Sequence, residues 1–62
     1  MVGLVSTRNL EDADEVYAML TRAHEGLSKA ESDALNARLI LILLNHIGDP
    51  EVIAGALALA RG

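Results

Sequence analysis

Hydrophobic positions recur at helical spacing in three stretches of this 62-residue chain, each separated from the next by a short polar turn. The spacing predicts helices near 12–25, 29–47 and 50–60. Residues 1–10 lack a helical period and are expected to form an extended N-terminal arm ahead of a single helical domain over 11–62. Because the turns are very short, consecutive helices should pack as neighbours. The pattern therefore predicts an all-α fold, with a helical hairpin and a short third helix.

Residues that cap helices flank these stretches. Ser28 and Glu31 have the spacing of a capping box, and Asp12 and Glu15 have the same spacing with Asp in place of Ser. Asp49, followed at once by proline and glutamate, predicts the start of the third helix. Glycines suited to left-handed backbone follow the first two helices, namely Gly26 and Gly48. Gly55 inside the third helix is explained either by a close approach of another backbone or by a tolerated weakness.

The central helix is apolar around much of its circumference. At 100° per residue, its apolar side chains cover an arc of roughly 220°, whereas a helix packed on one side needs little more than about 100°. Asn36 is the one polar residue inside this arc. One short helix on each side cannot cover so wide an arc, so part of it should meet another chain. We therefore expect a dimer or higher homo-oligomer, whose interface includes Leu39, Ile40, Leu43 and Leu44.

Arg38 is the only charge in the middle of this apolar helix, in a polar seam with Glu31 and Asn45. Two interpretations are open. The seam is either a solvated stripe, or Arg38 pairs with a carboxylate across a subunit interface and fixes the register of the two chains. Arginine suits the second role because its planar guanidinium engages a carboxylate through two hydrogen bonds. Arg38 is accordingly included among the interface candidates.

Composition narrows the classes of function. The formal net charge is −4 and the five basic residues are scattered, whereas a nucleic-acid binder presents a clustered basic patch. The longest apolar run is six residues, far below the roughly 20 that a membrane span needs. No signal peptide is evident, and we expect a cytoplasmic protein. The chain has no cysteine, so it can form no disulfide and has no thiolate for catalysis or metal binding.

The two histidines are the first residues to test for chemistry. His24 and His46 fall near predicted helix ends, where they complement the helix dipole. They belong to no known metal-ligand motif, and the ends of a hairpin should hold them apart. His24, Asn45 and His46 remain candidate polar contacts for a ligand. We expect no metal, no cofactor, no catalytic residue and no enzymatic activity.

Three segments resemble a known family: NLEDADEVYAML (9–20), AHEGLS (23–28) and LNARLILILLNHIGDPEVI (35–53). The family consists of very small bacterial helical proteins catalogued only as a domain of unknown function. Its genes often lie beside those of flavin-dependent aromatic hydroxylases. The resemblance covers about residues 9–60 and supplies no catalytic residues. It implies an accessory role in the degradation of aromatic compounds.

Two functions are compatible with these observations. The first is a non-catalytic interaction protein, either a homo-oligomer or an accessory subunit of a larger enzyme. The second is a binding module that holds a small apolar ligand between its helices, with a histidine or Arg38 as the polar contact.

Overall fold

A computed structural model describes residues 3–62. Within that range the chain forms three helices and no strand: α1 (Ala13–Ala23), α2 (Lys29–Ile47) and α3 (Pro50–Arg61). The predicted all-α fold is confirmed, and every predicted helix boundary is correct to within two residues. Residues 3–10 form an exposed segment without regular structure, and the first two residues of the predicted arm lie outside the described part.

Two of the three predicted N-terminal caps are confirmed. The Ser28 hydroxyl accepts a hydrogen bond from the Glu31 backbone N–H at 3.2 Å, and the Ser28 N–H donates to Glu31 Oε1 at 2.9 Å. The Ser28 backbone N–H and then its hydroxyl hold the pKa of the Glu31 carboxyl below its usual value. At α3 the Asp49 carboxylate accepts from the Glu51 N–H at 3.0 Å. These bonds satisfy N–H groups that have no partner within the helix.

The predicted capping box at Asp12 is wrong. Asp12 has φ −99° and ψ 49°, instead of the extended backbone that turns a capping side chain toward the helix, and its carboxylate caps no N–H group. The Glu15 carboxylate, expected to complete the box, lies 3.6 Å from the Arg22 guanidinium instead. Asp12 and Asp14 at this end therefore act through the helix dipole, whereas Glu15 also pairs with Arg22.

The glycine signals at the C-terminal ends are confirmed, with φ of +76° at Gly26 and +65° at Gly48. Helix α1 nevertheless ends at Ala23, two residues before the predicted boundary. The N–H groups of His24 and Glu25 bond to the carbonyls of Thr21 and Arg22, three residues back. This 3₁₀-type spacing tightens the end of the helix and turns the chain away before Gly26 is reached.

The three helices pack unequally, and the chain is open. Helices α2 and α3 approach closely, with Val52, Ile53 and Ala56 of α3 half-buried, whereas α1 splays away from α2. The radius of gyration is 13.5 Å, against about 11 Å for a compact chain of this length. The accessible surface is 5465 Å², against about 3,900 Å² for a compact chain of 6.6 kDa. The single chain thus exposes about 1,600 Å² more than a closed fold would.

Gly55 lies beneath the N-terminal segment. A Cβ atom placed at Gly55 would lie 3.7 Å from both Cβ and Cδ2 of Leu4. Within residues 3–62 no second backbone approaches Gly55, and the Leu4 side chain lies at an ordinary van der Waals distance, so the close-approach explanation is wrong. Leu4 is held over the middle of α3, so residues near the start of the chain have a contact within the chain itself.

Candidate functional site

An apolar groove of about 540 Å³ lies between α1 and α2. We call it the α1/α2 groove. Helix α1 contributes one wall, and three residues of α2 spaced four apart contribute the other. The full lining is Val16, Met19, Leu20, Ala23, Leu35, Leu39 and Leu43. Side chains four apart form a straight ridge along a helix, which is the surface that other helices pack against.

The groove is open to solvent along its length. Met19 on one wall is 56% exposed and Leu43 on the other is 48% exposed. No residue within 3–62 is fully buried, so the described part of the chain has no closed hydrophobic core. Full burial of a leucine or methionine side chain stabilises a protein by about 1.5–3 kcal/mol. The groove therefore holds part of the apolar surface that assembly could still bury, beside other exposed apolar residues such as Ile42 of α2 and Leu57 of α3.

A pair of polar side chains joins the two walls at one end of the groove. His24 Nδ1 lies 2.8 Å from the Leu20 carbonyl oxygen, and His24 Nε2 lies 2.9 Å from Asn36 Oδ1. With the Nδ1 proton donated to Leu20, a neutral imidazole accepts at Nε2, and the Asn36 amide meets it by turning its NH₂ group inward. A protonated imidazole donates to Oδ1 instead. This His24–Asn36 clamp ties the end of α1 to α2.

The interface residues predicted from the sequence do not all lie on this groove. Leu39 and Leu43 line it. Ile40 is exposed 100° around the helix from Leu39, and Leu44 is half-buried 140° from Leu39, away from the groove. The α1 wall was missed, although the stripe of Val16, Leu20 and Ala23 was visible in the sequence. That stripe could have identified the wall, had it been treated as half of a shared surface.

The remaining polar candidates lie apart from the groove lining. Arg38, Asn45 and His46 are exposed and make no side-chain hydrogen bond or ion pair with residues 3–62. His24 is half-buried, and both of its ring nitrogens are engaged by Leu20 and Asn36. His24 is thus placed to shape the groove, whereas Arg38, Asn45 and His46 are free to meet another molecule.

Metal-ligating side chains do not converge in the described range 3–62, where no three histidine, aspartate or glutamate residues lie close enough to hold an ion. In the same range, none of the helices combines the length and the apolar character that crossing a bilayer requires.

The fold and the groove define a very small three-helix protein whose apolar surface is only partly covered by its own chain. A family model described as "Protein of unknown function (DUF2783)" matches residues 4–62, and the chain belongs to this family. No curated protein and no solved structure gives a significant match to the chain.

Proposed function

We propose that this protein is a non-catalytic interaction protein that works as a homo-oligomer. The observation that carries the proposal is the lack of a fully buried residue anywhere in 3–62, together with an accessible surface of 5465 Å². A chain below about 70–80 residues seldom stabilises itself with its own core and needs a disulfide, a metal or a partner chain. This chain has no cysteine. Association with other chains would cover its apolar surface, and we propose that it does so.

The chemistry of the groove favours binding over catalysis. All seven lining residues are apolar, so the lining offers neither a nucleophile nor an acid–base group. Surfaces of this kind stabilise helix packing, where area and shape matter more than directed polar contacts. We therefore propose a role in which the protein positions or stabilises other chains, in the cytoplasm.

A larger enzyme is the second kind of partner that we propose. The resemblance to small proteins encoded beside flavin-dependent aromatic hydroxylases supports an accessory subunit in aromatic catabolism. Leu41 of α2 and Leu59 of α3 are 67% and 62% exposed. Neither lines the groove, so both would remain available after self-association through it.

A binding module for a small apolar ligand is the alternative. The groove volume of about 540 Å³ lies within the range of about 300–1,000 Å³ that is usual for ligand pockets. Such pockets also carry a few polar groups that orient the ligand. His24 is the nearest such candidate, but both of its ring nitrogens are already hydrogen-bonded, to Leu20 and Asn36. This engagement makes the helix-packing function the stronger proposal.

Sedimentation equilibrium between 1 and 100 µM tests the proposal. We expect a mass at least twice 6.6 kDa and a melting temperature that rises with protein concentration, as mass action requires of a folded oligomer. A folded 6.6 kDa species at every concentration would overturn it. If that monomer also bound one molecule per chain of an uncharged fluorescent dye such as N-phenyl-1-naphthylamine, the ligand-binding alternative would replace it.

A further inference from the structure

The α1/α2 groove has two of the four helical walls that enclose the core of a four-helix bundle. Its α1 wall is an 11-residue helix and its α2 wall belongs to a 19-residue helix. The walls are splayed, and the His24–Asn36 clamp joins them at one end. Two walls of this kind supply two sides of a four-helix bundle, and a bundle core closes only when four apolar faces meet.

We infer that the occupant of the groove is the same groove of a second copy, so that α1 and α2 of both chains form one four-helix core around a two-fold axis. This inference rests on the proposed self-association and specifies the surface that mediates it. A two-fold interface brings identical patches together, so a charge near its centre would meet its own copy. The lining meets this condition because it contains only aliphatic and methionine side chains.

The area available agrees with an obligate dimer. Two separate copies expose about 10,900 Å², twice the single-chain value. A compact protein of twice the mass exposes about 6,400 Å², so a pair that closed completely, with residues 3–10 and α3 included, would hide up to about 4,500 Å² in total. Permanent dimers bury about 2,000–5,000 Å², with more apolar interfaces than transient complexes have. On α1, two charges beside the groove, Glu15 and Arg22, pair with each other at 3.6 Å.

The geometry assigns a central position to Leu39. It is the middle residue of the α2 ridge, between Leu35 and Leu43. In a two-fold packing of these ridges, Leu39 lies nearest the axis and faces its own copy. Helix α3 lies outside the shared core, because its half-buried residues, such as Ile53, already pack against its own chain.

Single-cysteine variants test this arrangement cleanly, since the natural chain has no cysteine. Leu39→Cys places two thiols at the axis, and a disulfide forms only when the two Cα atoms approach to about 4.4–6.8 Å. Ala58→Cys, at an exposed position on α3, is the matched control. With diamide as the oxidant, we expect Leu39→Cys to give a covalent dimer and Ala58→Cys to remain largely monomeric on a non-reducing gel.

The outcomes separate the inference from the proposed function. If the natural protein sediments as a dimer but the Leu39→Cys variant forms no cross-link, the groove arrangement is wrong and self-association stands. If Ala58→Cys forms the cross-link and Leu39→Cys does not, the groove arrangement is also wrong, and the interface lies on α3. A natural protein that is monomeric at 100 µM overturns both.

A second pair of variants covers the case in which a cysteine disturbs packing. Leu39→Lys places a charge at the proposed axis, whereas Leu41→Lys introduces the same charge on the same helix about 160° away. An unpaired charge is costly to bury, so we expect Leu39→Lys to raise the dimer dissociation constant at least about tenfold. Leu41→Lys should change it less than about threefold. Equal effects of the two variants would contradict the groove arrangement.

Discussion

The His24–Asn36 clamp leads to a prediction about stability. Replacing His24 with alanine removes the 2.9 Å hydrogen bond to Asn36 and the 2.8 Å hydrogen bond to the Leu20 carbonyl. The first is a tertiary contact between α1 and α2, and the second secures the last turn of α1. The variant should therefore loosen α1 while leaving α2 and α3 helical.

The size of the effect follows from the two bonds. An intramolecular hydrogen bond contributes about 0.5–1.5 kcal/mol net. His24 is only half-buried, so water can partly replace its contacts. We expect His24→Ala to lower the free energy of unfolding by about 1–2 kcal/mol. For a domain of this size, each kcal/mol shifts the melting temperature by about 4–8 °C.

Urea denaturation followed by circular dichroism measures the effect, at one fixed protein concentration because an oligomer's stability depends on it. Asn36→Ala alone is ambiguous, since alanine also improves helix propensity by several tenths of a kcal/mol. The double-mutant cycle with His24→Ala cancels that gain and isolates the pair, for which we expect a coupling of about 0.5–1.5 kcal/mol. His46→Ala is the matched control, because His46 is also near a helix end but exposed. Equal losses in the two histidine variants, or no measurable coupling, would refute the clamp.

Four further substitutions test other parts of the chain. Gly55→Ala should stabilise the protein by about 0.5–1 kcal/mol, since a Cβ there meets Leu4 at an ordinary 3.7 Å. Gly48→Ala should destabilise the protein in the same urea titration, because Gly48 has φ +65°. The Ser28 bonds lower the folded-state pKa of Glu31, so its capping contribution is present above the ordinary glutamate pKa and is lost as the pH falls through the lowered value. Thermal melts between pH 7 and 3 should show this loss in the natural chain and a smaller one in Glu31→Gln; identical pH profiles would contradict it. If Arg38 pairs with a carboxylate across a subunit contact outside the groove lining, Arg38→Leu should keep the helix content by circular dichroism but weaken assembly in sedimentation. An unchanged mass and melting temperature would make Arg38 a surface charge only.

The helices could be predicted because their ends are encoded locally. The Ser28–Glu31 capping box and the left-handed Gly48 depend on residues within a few positions of each other, so sequence spacing alone identifies them. Asp12 shows where this reasoning fails. Its carboxylate has the right spacing to Glu15, but its backbone angles do not turn it toward the helix. Those angles depend on how the preceding segment enters the helix, which spacing does not specify.

The groove could be predicted only in part, because the width of an apolar arc does not determine which neighbour covers which portion of it. The arc of α2 correctly indicated excess apolar surface, but it grouped Leu44 with Leu39 although the two point 140° apart. The informative exception was Asn36, the single polar residue inside the arc. Asn36 is exposed in the structure, and its Oδ1 lies 2.9 Å from Nε2 of His24, twelve residues earlier in the chain. This polar pair holds α1 at its angle to α2 and thereby gives the groove its shape. If the second copy fills that groove, loosening the clamp should weaken dimerisation as well as folding, so His24→Ala should raise the dimer dissociation constant without removing any residue from the interface itself.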